Sequence, residues 1–163
     1  DMVRESIFNI LNHSDLLSTK IDECVVLDLF SGVGSFGLEA ISRGAKKVIF
    51  FEEYQPAIKL LNKNLINLSF NKKATVNTSN IYYNNSLKKL KYKFNLVFID
   101  PPFKDQNLNV LLTTLANSKI INLKTLIVIH RHKKTIDIFN QKFKVCRQEI
   151  YGSSKIIFGY FNF

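Results

Sequence analysis

Four groups of residues in this 163-residue chain could do chemistry, and each stands where an apolar segment ends. The first lies in Val25-Val26-Leu27-Asp28-Leu29-Phe30-Ser31-Gly32-Val33-Gly34-Ser35-Phe36-Gly37. An apolar run of strand type breaks at Ser31-Gly32 and resumes with helical spacing. A strand, a glycine loop and a helix in that order make a nucleotide-type binding corner. Gly32 and Gly34 can take backbone angles closed to other residues and let a ligand approach the main chain. The first turn of the helix then directs free N–H groups into the crevice. Asp28 is a carboxylate in an otherwise apolar strand, costly without a partner, so it is read as facing the site with Phe30 and Ser31 beside it.

The second group, Glu52-Glu53, ends the apolar run Lys47-Val48-Ile49-Phe50-Phe51. An acidic residue there can accept hydrogen bonds from ribose hydroxyls. Glu52 is the stronger candidate and Glu53 its more solvated neighbour. The third, Asn80-Ile81, follows a weakly signalled strand at 74–78; Asn80 could bond an adenine edge or simply close a turn.

The fourth and sharpest is Asp100-Pro101-Pro102-Phe103 after Asn95-Leu96-Val97-Phe98-Ile99. Proline fixes the backbone and removes a donor, so this turn offers only acceptors. The Asp100 carboxylate and the Pro101 carbonyl suit the two hydrogens of an exocyclic amine on a base. Phe103 offers a ring face for that base to stack on.

Positioning these groups requires strands and helices in alternation. Helices are expected over 3–12, over 35–43, from Pro56 through Leu68, around Leu108–Leu115, near Ser86–Leu90 and around Ile136–Phe139. Strands are expected at 24–30, 47–51, 74–78, 94–99 and 123–129, with a closing hairpin of 143–151 and 154–162 about Gly152-Ser153. Alternation implies a mostly parallel sheet covered by helices on both faces, and the hairpin adds an antiparallel strand. In such a sheet all four groups gather at the carboxyl ends of the strands.

The chain is expected to form one domain over residues 1–163, with 46% hydrophobic residues and no apolar run of membrane-spanning length. No signal-peptide pattern opens it, so a cytoplasmic location and no membrane partner are expected. The 23 basic against 13 acidic residues give a net charge of +10, which favours nucleic acid as partner over compositional drift. Cys24 and Cys146 sit in apolar strand-like runs and are expected to be buried thiols. Arg4 lies outside the apolar stripe of the first helix, either solvated or facing a substrate phosphate. His130 and His132 have no third ligand nearby, so no metal site is expected.

The glycine loop formally fits G-x-G-x-x-G, a pattern shared by nicotinamide, flavin and S-adenosylmethionine corners. Combined with Asp-Pro-Pro-Phe, it resembles class I S-adenosylmethionine-dependent methyltransferases that act on exocyclic amines. The closer resemblance is to the RsmD family, which makes N2-methylguanine in small-subunit (16S) ribosomal RNA. It is carried by Val3-Arg4-Glu5-Ser6-Ile7-Phe8-Asn9-Ile10-Leu11, Leu27-Asp28-Leu29-Phe30-Ser31-Gly32-Val33-Gly34, Gly37-Leu38-Glu39-Ala40-Ile41-Ser42-Arg43-Gly44-Ala45 and Leu96-Val97-Phe98-Ile99-Asp100-Pro101-Pro102-Phe103, and faintly by Tyr151-Gly152.

The resemblance implies a Rossmann-like fold with a seven-stranded sheet and a C-terminal antiparallel hairpin. It implies S-adenosyl-L-methionine as cofactor, leaving S-adenosyl-L-homocysteine. The cofactor would be held by Asp28, Phe30, Ser31, Gly32, Gly34, Glu52, Glu53, Asn80 and Ile81, and catalysis carried by Asp100, Pro101, Pro102 and Phe103. The partner would be ribosomal RNA in an assembling small subunit, met by a monomer. A basic segment commonly precedes residue 1 in the family. Tyr54 stands where an Asp is common, Asn80 replaces a frequent Asp, and His130-Arg131-His132 occupies a stretch that is often acidic. Competing readings are an adenine-N6 DNA methyltransferase, a nicotinamide-dependent dehydrogenase and a non-catalytic RNA-binding module. The dehydrogenase leaves Asp-Pro-Pro-Phe without a task, and the binding module leaves the polar crevice unexplained.

Overall fold

The computed structural model describes residues 1–83 and 85–163. Its strands are β1 (Val25–Leu29), β2 (Lys47–Phe51), β3 (Ala74–Asn77), β4 (Leu96–Ile99), β5 (Leu126–His132), β6 (Phe143–Tyr151) and β7 (Ser154–Phe161). Its helices are α1 (Met2–His13), α2 (Ser35–Ser42), α3 (Gln55–Asn67) and α4 (Leu108–Asn117). The strands form one sheet in the order β3-β2-β1-β4-β5-β7-β6. β1 to β5 run parallel, and β7 lies antiparallel between β5 and β6. This is the mostly parallel seven-stranded sheet with a closing hairpin that the alternation predicts.

The two faces of the sheet are read from the period of two along each strand. Val26, Val48, Phe50, Leu96, Phe98 and Val128 point to one face, where α1, α2 and α3 bury Phe8, Phe36, Ala40, Leu61 and Leu65 against them. Leu27, Ile49, Phe51, Val97, Ile99 and Ile127 point to the other, covered by α4 through Leu108, Leu111, Leu112 and Leu115. Asp28, Asp100 and His130 continue the parity of the first face at the tips of three neighbouring strands. Strand order reverses direction between β1 and β4, so the crevice opens between their carboxyl ends.

Three expected elements differ. β5 begins at Leu126 and runs on through His130-Arg131-His132, because these residues pair with Ile156, Lys155 and Ser154 of β7. The polar end of the run is thus strand, and Leu123 is left exposed. No helix forms at 86–90: Asn85 takes a left-handed backbone (φ 52), and turns closed by Lys88 N–H to Asn85 C=O (2.9 Å) replace it. Leu87 anchors that segment in the core, a contact that five residues can make without a costly helix nucleus. No helix forms around Ile136–Phe139 either, since residues 135–140 are irregular and Asp137 is drawn inward. Cys24 is buried as expected, but Cys146 is exposed, at the register shift between Val145 and Arg147 where β6 departs from its regular pairing. Among the described residues no helix is long and apolar enough to cross a membrane.

Candidate functional site

β1 delivers Asp28 to the first turns of α2. Its carboxylate is 1% exposed, and Oδ2 accepts the Gly37 N–H at 3.0 Å. Oδ1 is buried without a hydrogen-bond partner among the described residues. Burial pushes this carboxyl well above the ordinary carboxylate range; the Gly37 bond opposes the shift, and the charges of Asp100 and Glu52 add to it. A buried, half-satisfied carboxylate beside two others is a site prepared for a cation or a donor.

After Asp28 the chain turns sharply. Phe30 is a non-glycine residue in the left-handed region (φ 58), a conformation that costs on the order of 1–3 kcal/mol and concentrates at functional sites. Gly32 follows (φ 57) with open space around it, whereas a Cβ on Gly34 (φ 88) would meet Leu61 at 2.3 Å. Of the two loop glycines, Gly32 therefore faces the crevice, and Gly34 caps α2 against the core. Ser31 does not face a ligand by its hydroxyl, which donates to the Phe51 carbonyl at 3.1 Å.

Glu52, at the tip of β2, accepts three backbone N–H groups: Gly32 at 2.7 Å, and Glu53 and Tyr54 at 3.0 Å each. It ties the glycine loop to β2, and a carboxylate with about four lone-pair positions retains room for one further donor. Glu53 and Tyr54 are exposed at the rim. Asn80 Oδ1 accepts the Tyr82 N–H at 2.8 Å, which makes it a turn residue, and Ile81 is buried behind it. Phe30, Glu52, Glu53, Asn80, Ile81, Asp100 and Pro101 line one cavity of about 530 Å³. Asp28, Phe30, Ser31, Gly32, Asp100 and His130 line a second, of about 290 Å³, with Arg4 at its edge. Arg4 is paired to Glu39 at 3.6 Å there.

Asp100 follows β4. Its Oδ1 lies 3.1 Å from Nδ1 of His130, whose Nε2 lies 2.8 Å from the Ser154 hydroxyl. His130 thus stands against one carboxylate oxygen, and no hydrogen bond reaches the other among the described residues. Arg131, one residue on, points to the opposite face and is 5% exposed. Its guanidinium grips both oxygens of Asp137 (3.1 and 3.2 Å) and donates to the carbonyls of Pro102 (3.3 Å) and Asp105 (2.9 Å). The Tyr82 hydroxyl donates to Asp105 at 2.8 Å; burial first, then Asp105, push this phenol above its ordinary range. The Pro102 carbonyl is thereby committed, while no such bond reaches the Pro101 carbonyl among the described residues. Phe103 is exposed and packs edge-on against His132 (centroids 5.0 Å, 65°). Asp100, Pro101, Phe103, His130 and Ser154 line a third cavity of about 220 Å³. Asp100 belongs to all three cavities.

A family model described as "Conserved hypothetical protein 95" matches residues 1–160. YlbH of Bacillus subtilis is 32% identical over 160 residues, covering 93% of this chain and 80% of its own length. Ribosomal RNA small subunit methyltransferase D of Haemophilus influenzae is 33% identical over 138 residues, with 82% of this chain and 66% of that protein covered. The RNA methyltransferase of Salinibacter ruber, solved with S-adenosyl-L-homocysteine, shares the fold at a TM-score of 0.68 and 14% identity, over 96% of this chain and 90% of that one. The chain belongs to the RsmD-type methyltransferase family.

In this RsmD-type chain the sequence-predicted residues converge from four strand tips, with two qualifications. Gly34 and Ser31 serve the frame of the corner, and Phe103 stands outside the two cavities that Asp28 and Glu52 line. Four residues at the site were not predicted: His130 as a partner of Asp100, and Ser154, Arg131 and Tyr82 behind the proline loop. Arg131 carried a signal, since a cation two residues after Leu126–Ile129 must be paired if the strand runs on.

Proposed function

We propose that this methyltransferase moves a methyl group from S-adenosylmethionine to the exocyclic N2 of a guanine in small-subunit ribosomal RNA. The observation that carries this reading is Asp100 at the meeting of three cavities: one under the glycine loop, one beside Glu52, and one against Phe103. The residues fit the donor. The orphan Oδ1 of Asp28 suits an ammonium group, Glu52 has room for a ribose hydroxyl, and the apolar wall of Phe30 and Ile81 suits an adenine. The same fold holds S-adenosyl-L-homocysteine in the Salinibacter ruber enzyme, and the Haemophilus influenzae relative is named for small-subunit ribosomal RNA. When bound, S-adenosylmethionine supplies an electrophilic methyl, so the protein's task is chiefly position.

A guanine amine is a poor nucleophile because its lone pair is delocalised into the ring. Asp100 Oδ2 and the Pro101 carbonyl accept its two N–H groups, which localises that pair and aims it, and the proton that N2 gives up on gaining the methyl passes to solvent by way of Asp100 Oδ2. Phe103 supports the base face, and His130 holds the carboxylate in the orientation that keeps Oδ2 free. The base leaves any stack it occupies at a cost of a few kcal/mol. The net charge of +10 offsets part of this by attracting phosphate. The partner is ribosomal RNA in an assembling small subunit, and the enzyme acts as a monomer.

Undermethylated small-subunit RNA is incubated with wild type and Asp100→Ala, and the nucleosides are analysed by mass spectrometry. N2-methylguanosine is expected from wild type only, and S-adenosylhomocysteine should raise the Tm of both proteins where NAD does not. Methylation of adenine instead, or stabilisation by NAD, overturns the assignment. Loss of cofactor binding in the variant returns Asp100 to the cofactor site.

A further inference from the structure

A second concave surface adjoins the crevice on the other side of the proline loop. This groove of about 760 Å³ is lined by Phe103, Lys104, Asn109, Lys134, Ile136 and Ile138 among others. Two of these residues are hard to explain by folding. Ile136 is 94% exposed and Ile138 is 83% exposed. Between them Asp137 turns inward to the buried guanidinium of Arg131, and the isoleucines on either side of it are left in water. The buried ion pair fixes this display. An unpinned loop would relax to cover such side chains.

The charge around the groove selects among possible partners. Lys104, Lys133 and Lys134 are exposed, and none forms an ion pair among the described residues. Of the two nearby carboxylates, Asp137 is offset by Arg131, and Asp105, which accepts the Tyr82 hydroxyl, is outnumbered by the three lysines. The rim is therefore basic, its centre apolar, and it runs into the crevice through Asp105 and Phe103. Apolar side chains flanked by free lysines match an unstacked nucleic-acid strand, which presents base faces and phosphates side by side.

We infer that the 133–138 segment is the docking surface for the RNA strand flanking the target nucleotide. Ile136 and Ile138 lie against the bases next to the one drawn into the crevice, and the three lysines take the adjoining phosphates. The inference rests on the RNA methyltransferase reading above.

The test uses the full chain with naked small-subunit RNA and with undermethylated particles. Ile136→Ser/Ile138→Ser should raise KM for naked RNA about tenfold or more, as loss of buried apolar contact predicts. Its kcat should stay within about twofold of wild type, and its stabilisation by S-adenosylhomocysteine should be unchanged. Lys104→Gln/Lys134→Gln should lower the slope of log K against log salt by about 1.4, at roughly 0.7 per phosphate contact on a single strand. An unchanged KM and salt slope, in variants of an active enzyme, overturns the surface while leaving the reaction standing. A KM that rises on particles but not on naked RNA assigns the groove to a protein partner, and a shift in sedimentation of the isoleucine variant assigns it to a second copy; either overturns the inference. A wild type that methylates no ribosomal RNA refutes the underlying function instead.

Discussion

Replacing Asp28 by Asn separates what this residue costs the fold from what it gives the ligand. Asn is isosteric and keeps an oxygen for the Gly37 N–H, but removes an acidic group that is 1% exposed and half unsatisfied. Leaving such a group buried costs about 1–3 kcal/mol, of which the amide recovers a part because its own NH2 remains without a partner. Taking about 1–2 kcal/mol as the gain, and 2–4 °C per kcal/mol for a chain of this size, the ligand-free variant should melt about 2–8 °C higher at neutral pH.

The pH dependence carries the sharper sign. Burial holds the folded-state carboxyl well above its unfolded value, so the folded protein binds more protons through the intervening window. Where the native state binds more protons, stability falls as pH rises. The wild type should therefore lose stability upward from the ordinary carboxylate range near pH ~4 until Asp28 is ionised. The variant lacks this component, so the two melting curves converge at acid pH and separate as pH rises. Binding should move oppositely. A charge-assisted contact from a ligand ammonium is worth about 1.5–3 kcal/mol, so S-adenosylhomocysteine should bind the variant roughly 10- to 150-fold more weakly. At a ligand concentration of about 100 times the wild-type Kd, stabilisation should fall from about 2.7 to about 0.4 kcal/mol for a hundredfold loss. Differential scanning fluorimetry from pH 4 to 8, with and without ligand, reads both effects. A variant that melts lower at neutral pH and is stabilised by ligand as much as wild type would refute the argument and leave Asp28 as a helix-capping residue.

Two further perturbations probe the neighbouring strand tip. His130→Ala frees the Asp100 carboxylate and should lower kcat about 10- to 100-fold with little change in cofactor affinity, since misplacement of about 1 Å is enough for such a loss. His130→Asn retains a side-chain donor near Nδ1 and should recover most of it; equal activity in all three proteins would remove His130 from the mechanism. Arg131→Met leaves the largely covered Asp137 unpaired, which should cost up to about 3–5 kcal/mol and lower Tm by up to roughly 6–20 °C. Arg131→Met/Asp137→Leu should recover stability by thermal melting but not kcat, because the carbonyls of Pro102 and Asp105 remain unheld; full recovery of both would show the clamp to be dispensable.

The site was legible where an apolar run ends in a polar residue. Glu52 and Asp100 each end such a run, Asp28 interrupts one just before its end and Asn80 follows one by three residues, and parallel topology places all four on the same edge of the sheet. What the sequence concealed depends on partners far along the chain. His130-Arg131-His132 looks like the start of a loop until β7 pairs with it, and that pairing moves β5 three residues toward the carboxyl end. The expected helix around Ile136–Phe139 fails for a related reason, because Asp137 is claimed by Arg131 from another segment. Glu52 was found by position, yet its three bonds to backbone N–H groups form only once the glycine loop has closed upon β2. The left-handed Phe30 left no trace, since nothing in its side chain favours that conformation.

The distribution of charge joins these observations. The protein carries +10 overall, yet three carboxylates, Asp28, Glu52 and Asp100, gather at adjacent strand tips, where the charges of the other two add to the cost of ionising Asp28. On the proposed reaction this division has a use at each stage. Exposed lysines draw an anionic strand to the rim, while the inner carboxylates favour a cationic donor over its neutral-sulfur product. Transfer of the methyl removes the sulfonium charge, and with it part of the attraction that held the donor. The same crowding of carboxylates that weakens the empty fold would then distinguish donor from product, so Asp28→Asn should narrow the affinity gap between S-adenosylmethionine and S-adenosylhomocysteine as well as weaken both.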